Sequence, residues 1–95
     1  MNKSLHILIV EDDADIVEYT TTLLETFIDG KIGSVNNSEA AIEYVKKYSP
    51  DIVLMDIILF GALDGIQTAQ EIRKNSNVPI IYTTGHNDEY FLKKA

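Results

Sequence analysis

The sequence predicts an α/β domain built on a doubly wound parallel sheet, and three observations predict it. Ile52-Val53-Leu54-Met55 is a short apolar run without alternation, which suits a strand buried on both faces in the middle of a parallel sheet. Leu5–Val10 and Ile80–Tyr82 are runs of the same kind, and helical patterns separate the three. Each run also stops at polar residues: Glu11-Asp12-Asp13 after the first, Asp56 after the second, Thr83-Thr84 after the third. Open α/β sheets place their chemistry at the carboxyl ends of their strands, so one rim collects these carboxylates and hydroxyls.

The elements follow in order. Leu5–Val10 is the first strand. Ala14–Ile28 is a helix with Ile16, Tyr19, Leu23 and Phe27 at helical spacing, and Asp12 or Asp13 is available to cap its start. Gly30 and Gly33 punctuate the return into a weak second strand near Lys31–Val35. Asn36-Asn37-Ser38 is cap chemistry and Glu39 favours a first turn, so a second helix runs over Ser38–Tyr48 and buries Ala41, Tyr44, Val45 and Tyr48. Ser49-Pro50 ends it, because the residue before proline avoids the helical region.

The third strand is Ile52–Met55. Ile57–Leu63 contains Gly61 and reads as a loop despite the apolar Ile57, Ile58, Leu59 and Phe60. Asp64-Gly65 opens a third helix to about Lys74, with Ile66, Ala69 and Ile72 on its inner face. Asn75-Ser76-Asn77 is a turn, and Pro79 starts the fourth strand. Gly85-His86-Asn87-Asp88 is another turn, and Tyr90-Phe91-Leu92 begins a fourth helix.

Composition narrows the function classes. Ninety-five residues with 45% hydrophobic and 24% charged content make one ordinary globular domain. The absence of cysteine rules out disulfides and thiolate metal sites. No apolar run approaches the length of a membrane span or reads as a signal peptide, so no membrane role is expected and the predicted location is cytoplasmic. A net charge of −7 repels phosphate backbones and argues against direct nucleic-acid binding by this domain.

Right-handed crossovers and a doubly wound order would place the first and third strands side by side, so Glu11, Asp12 and Asp56 would share one pocket. Carboxylates that close oppose one another unless a cation neutralises them. A hard oxygen cluster without His or Cys suits Mg²⁺ rather than Zn²⁺. An aspartate beside Mg²⁺ can act as the nucleophile in phosphoryl transfer, with a hydroxyl from Thr84 donating to the arriving phosphoryl oxygens.

At these residues the sequence resembles the receiver domain of two-component response regulators. The matching stretches are Ile7–Asp13, Asp51–Asp56, Leu63–Ile66 and Val78–Gly85. The resemblance implies a flavodoxin-like, three-layer fold with strand order 2-1-3-4-5. It places the phosphoacceptor on Asp56, the acidic pair on Glu11 and Asp12 with Asp12 the direct Mg²⁺ ligand, and a further ligand on the backbone carbonyl of Ile58. The switch hydroxyl falls on Thr84 and not on Thr83. The implied partner is a histidine kinase or phosphotransfer protein, and the implied function is a switch that assists its own phosphorylation and alters the surface of the fourth helix.

The sequence departs from the family's pattern at Phe60, where proline is usual, and in a following loop one residue longer. The family's lysine and switch aromatic lie on a fifth strand that has no counterpart here. The expectation is therefore a sheet in the order 2-1-3-4, in a domain cut within its fourth helix. Its exposed strand-4 edge would pair with a second copy or another chain, unless these residues are the ordered part of a longer domain. Two rival functions fit less well. A Mg²⁺-dependent aspartyl-phosphate phosphatase needs an aspartate where Ile58 stands, and a degenerate receiver used only for protein contacts does not need the acidic residues. A dinucleotide-binding domain lacks its glycine fingerprint here.

Overall fold

The computed structural model describes residues 4–59 and 61–83. They form β1 (Leu5–Val10), α1 (Ala14–Phe27), β2 (Gly30–Val35), α2 (Ser38–Tyr48), β3 (Ile52–Asp56), α3 (Gly65–Arg73) and β4 (Ile80–Thr83). The strands make one sheet in the order β2-β1-β3-β4, every pair parallel. This is the doubly wound, flavodoxin-like arrangement the sequence predicts. The expected fourth helix, with Thr84 and His86, lies outside the described residues.

Strand alternation sorts the apolar side chains into two layers. Leu8 and Val10 of β1 join Val53 and Met55 of β3 in a core covered by Ala41 and Val45 of α2 and Ile72 of α3. Ile7 and Ile9, also buried, point to the opposite face, which carries α1. The register sets Val10 beside Met55 and Asp56 beside Thr83, so the strands end at nearly one level. The apolar loop after β3 also has a physical account: Leu59 turns inward and is only 4% exposed within the core.

Capping sets the helix starts. Asp13, in an extended conformation, accepts from the backbone N–H groups of Asp15 and Ile16 and starts α1, so of the two candidate caps it is Asp13 that serves. Asn37 accepts from Ala40 N–H at the start of α2. Asp64 and Gln67 exchange hydrogen bonds in a capping box that starts α3. Ser49 ends α2 in the left-handed region at φ 47°, directly before Pro50.

Expected burials differ in each of the three helices. The inner face of α1 is made by Ile16, Val17, Thr20, Thr21 and Leu24, all half-buried, whereas Tyr19 and Phe27 are 70% and 78% exposed and Leu23 also faces out. The contact face is turned by roughly 100°, one residue of helical rotation, from the stripe the spacing picks out. The cause is that α1 carries apolar residues over an arc wider than its neighbour covers. In α3, Ile66 is exposed, and the buried set is Gly65, Thr68, Ala69 and Ile72. Small residues fit where that helix presses on β3, and the Thr68 hydroxyl is satisfied by donating to the Asp64 carbonyl at 2.6 Å. Tyr44 packs at the core edge as expected, but Tyr48 is exposed. Its ring centroid lies 4.7 Å from that of Tyr44, with the Lys31 and Lys47 ammonium groups 5.6 and 5.3 Å from it.

Candidate functional site

The site lies at the carboxyl ends of β1 and β3, and adjacency of those two strands creates it. Val10 pairs with Met55, so the residues that follow each, Glu11 and Asp56, come off neighbouring strand ends. Glu11 is 3% exposed and Asp56 is fully buried, and Asp12 is half-buried at the rim. One carboxylate oxygen from each of the three lies within 4.8 Å of the others.

Backbone amides hold this geometry. Ile58 N–H donates to Asp56 Oδ1 at 3.0 Å, which fixes the carboxylate against its own following turn. Asp13 N–H donates to Glu11 Oε2 at 3.1 Å, and Glu11 N–H donates to the Val35 carbonyl at 3.1 Å, extending the ladder to β2 past the last strand residue. Beyond Asp56, Ile57 N–H donates to the Thr83 carbonyl at 3.0 Å, tying the site to the end of β4. Glu11 and Asp12 also line an open groove of about 440 Å³, floored by Ala14, Val17, Val35 and Ala40.

Three carboxylates so close concentrate negative charge, which a bound cation or a proton can offset. The donors are all oxygen, which matches a hard divalent ion such as Mg²⁺. The structure thus brings together Glu11, Asp12 and Asp56, and places Ile58 next to them through its amide. Thr84 lies outside the described residues, one position beyond Thr83. The sequence reading missed Gly65, which is buried with its N–H on the Ile57 carbonyl at 3.1 Å. Asp64-Gly65 reads in sequence as a helix start and as part of the matching stretch Leu63–Ile66, and the close approach that requires a glycine is a tertiary fact.

Comparison with known proteins agrees with this geometry. The family model for the response regulator receiver domain matches residues 7–95. A transcriptional regulatory protein of Haemophilus influenzae, a CpxR homolog, is 36% identical over 84 residues, covering 87% of this chain and 35% of its own. The chain spans about a third of the length of the curated relatives it matches. Among solved structures, the signal receiver domain of a modulated diguanylate cyclase from Desulfovibrio desulfuricans is 34% identical with a TM-score of 0.78, over 95% of this chain and 73% of that one. The receiver domain of the sensor histidine kinase PA1611 from Pseudomonas aeruginosa, with a magnesium ion coordinated in its active-site cleft, is 28% identical with a TM-score of 0.79, over 90% of this chain and 70% of that one. A parallel sheet in this order, an acidic cleft at its carboxyl rim and a family match along almost all its length agree: the chain belongs to the response regulator receiver domains, the phosphoacceptor switches of two-component signalling.

Proposed function

We propose that Asp56 is the phosphoacceptor of this receiver, served by Mg²⁺ held on Asp12, Asp56 and the Ile58 carbonyl. Glu11 supports the ion from its buried place beside them. The observation that carries this reading is the convergence of three carboxylates within 4.8 Å around a fully buried aspartate at a strand end. A bound Mg²⁺ would neutralise charge on the phosphoryl oxygens and on the carboxylates together. The chain's own groups do the rest. Ile58 N–H holds Oδ1 of Asp56 and so sets the orientation of the carboxylate. An Asp56 oxygen forms the new O–P bond as the bond from phosphorus to the donor's imidazole nitrogen breaks, and the imidazole leaves with the electron pair. Thr84 supplies a hydroxyl to the transferred group and couples it to the surface that follows β4.

The donor is read as a histidine kinase or phosphotransfer protein, in keeping with the family, and the net charge of −7 argues against direct nucleic-acid binding by this domain. Among the described residues no helix is long and apolar enough to cross a membrane. The outer edge of β4 has no strand partner among the described residues, and Ile81 and Tyr82 on it are exposed. We read this edge as a place where a further strand pairs, from a longer form of this chain, a second copy or another chain.

The test is chemical. The protein is treated with Mg²⁺ and a small phosphodonor, and the acid-labile phosphate is mapped. Label is expected on Asp56 and at background in Asp56→Asn. Label on Asp12 or Asp13, or undiminished labelling of Asp56→Asn, refutes the assignment.

A further inference from the structure

We propose that Gly65 is a positioning residue for the phosphoacceptor: having no side chain, it lets the first turn of α3 rest directly on the backbone of Asp56 and Ile57. A β-carbon at position 65 would overlap the Asp56 carbonyl oxygen and would lie 2.8 Å from the Asp56 carbonyl carbon and 2.9 Å from Ile57 Cα. All three are backbone atoms of the strand end, so no side chain can swing aside to make room. Conformation is not the reason for the glycine. The positive-φ glycine among the described residues is Gly61, at φ 135°, where an added β-carbon would meet nothing within 4 Å. Gly65 therefore answers a need for space.

The contact bears on the site through a short chain of bonds. Gly65 N–H donates to the Ile57 carbonyl at 3.1 Å on the α3 side, while Ile57 N–H donates to the Thr83 carbonyl at 3.0 Å on the β4 side. The backbone after Asp56 is thus clamped between α3 and β4. From within that clamp Ile58 N–H reaches Asp56 Oδ1 at 3.0 Å. The Asp64–Gln67 capping box stabilises the first turn of α3, while the contact with the strand end is made by the Gly65 backbone itself. Any larger residue at 65 must push the helix start and the strand end apart by roughly 1 Å, a displacement of the size that misaligns reacting groups. Because Ile58 carries both the amide on Asp56 and the carbonyl assigned to the metal, one displacement disturbs both.

This inference rests on the assignment of Asp56 as phosphoacceptor, and the experiment separates the two. Labelling by a small phosphodonor, Mg²⁺ affinity and the backbone amide spectrum are measured for the wild type, Gly65→Ala and Asp64→Ala. If the wild type carries no label on Asp56, the functional assignment fails. With the wild type labelled, Gly65→Ala is expected to label about 10- to 100-fold more slowly with a displaced Ile58 amide resonance. Asp64→Ala loses the cap without adding an atom against Asp56, so it should melt earlier yet label at the wild-type rate. Wild-type labelling by folded Gly65→Ala, or equal slowing by Asp64→Ala, overturns the proposal. Should Gly65→Ala not fold, Mg²⁺ titration of the wild type decides. The Gly65 and Ile58 amide resonances are expected to move together, and movement of Ile58 with a stationary Gly65 overturns it.

Discussion

The two ends of β1 bury polar groups in opposite ways. At the carboxyl end Glu11 joins Asp12 and Asp56, three acceptors of one sign. At the amino end the ring of His6 shares a 2.6 Å hydrogen bond from Nε2 with the Tyr44 hydroxyl and meets the Tyr44 ring edge-on at 5.6 Å. Its backbone N–H donates to Asp51 Oδ2 at 2.8 Å, and Asp51 N–H donates back to the His6 carbonyl at 2.7 Å. Donor meets acceptor there, within the chain. The difference teaches where to look for function in a fold whose strands all look alike. An end that matches its own donors and acceptors contributes stability, and an end that gathers like charges does so for a ligand at some expense of stability.

Substitutions at the two ends should break apart along that line. The largest effect belongs to Asp56→Asn, which removes phosphorylation altogether, while Tyr44→Phe at the other end leaves the labelling rate unchanged; phosphopeptide mapping reads both. Next is the metal. Asp12→Ala should weaken Mg²⁺ by about 100-fold and Glu11→Ala by about tenfold, as befits a direct and an outer position, and an NMR titration tells them apart. Equal losses would remove the distinction between the two acids.

Stability should then move in opposite directions. In the absence of Mg²⁺, Asp56→Asn relieves like-charge crowding and should raise stability by about 0.5–2 kcal/mol. Tyr44→Phe gives up the bond to His6 and should lower it by about 1 kcal/mol. Urea denaturation with and without Mg²⁺ measures both, and a destabilising Asp56→Asn would deny that the acidic end is under strain of charge.

The smallest effect is on pH. Burial, and then the neighbouring Tyr48, hold the Tyr44 hydroxyl above the ordinary tyrosine pKa. A folded-state pKa above the unfolded value means the folded chain keeps its proton longer. The contribution is therefore fully present below about pH 10 and is lost as the pH rises through the folded value. Tyr44→Phe should flatten the alkaline limb of the stability curve, and an unchanged limb would assign it to other groups.

Much of this was legible in the sequence, and the illegible parts have a common cause. Ile52–Met55 announced an interior strand, whose Val53 and Met55 are buried while Ile52 and Leu54 on the other face are half-buried, and the polar stops at Glu11 and Asp56 then marked the rim. The adjacency of β1 and β3, which makes the cluster, follows from right-handed crossovers together with the reversed strand order of a doubly wound sheet. Spacing failed on α1, where Tyr19, Leu23 and Phe27 form a convincing stripe that the helix turns outward. Periodicity reveals that an apolar face exists and says nothing about which neighbour covers it. It failed again at α3, where hydrophobicity chose Ile66 and the packing chose Gly65 and Thr68. A residue required for its smallness, or buried by virtue of a local hydroxyl bond, leaves no mark in a hydropathy pattern.

Gly33 carries a consequence for how such a chain can change over generations. A β-carbon there would run into the Tyr44 hydroxyl, with the ring carbon bearing it 2.9 Å away. The obstacle is the tip of a side chain, so an alanine at 33 would evict the ring rather than break the strand, and the evicted ring would abandon His6. Positions 33, 44 and 6 thus form a single heritable unit spread over three elements. Lineages that keep tyrosine at 44 should keep glycine at 33, and those that fill 33 should shrink 44 and release 6 to vary. An alignment of descendants would show this as three columns changing in step, far from the chemistry and with no catalytic reason to do so.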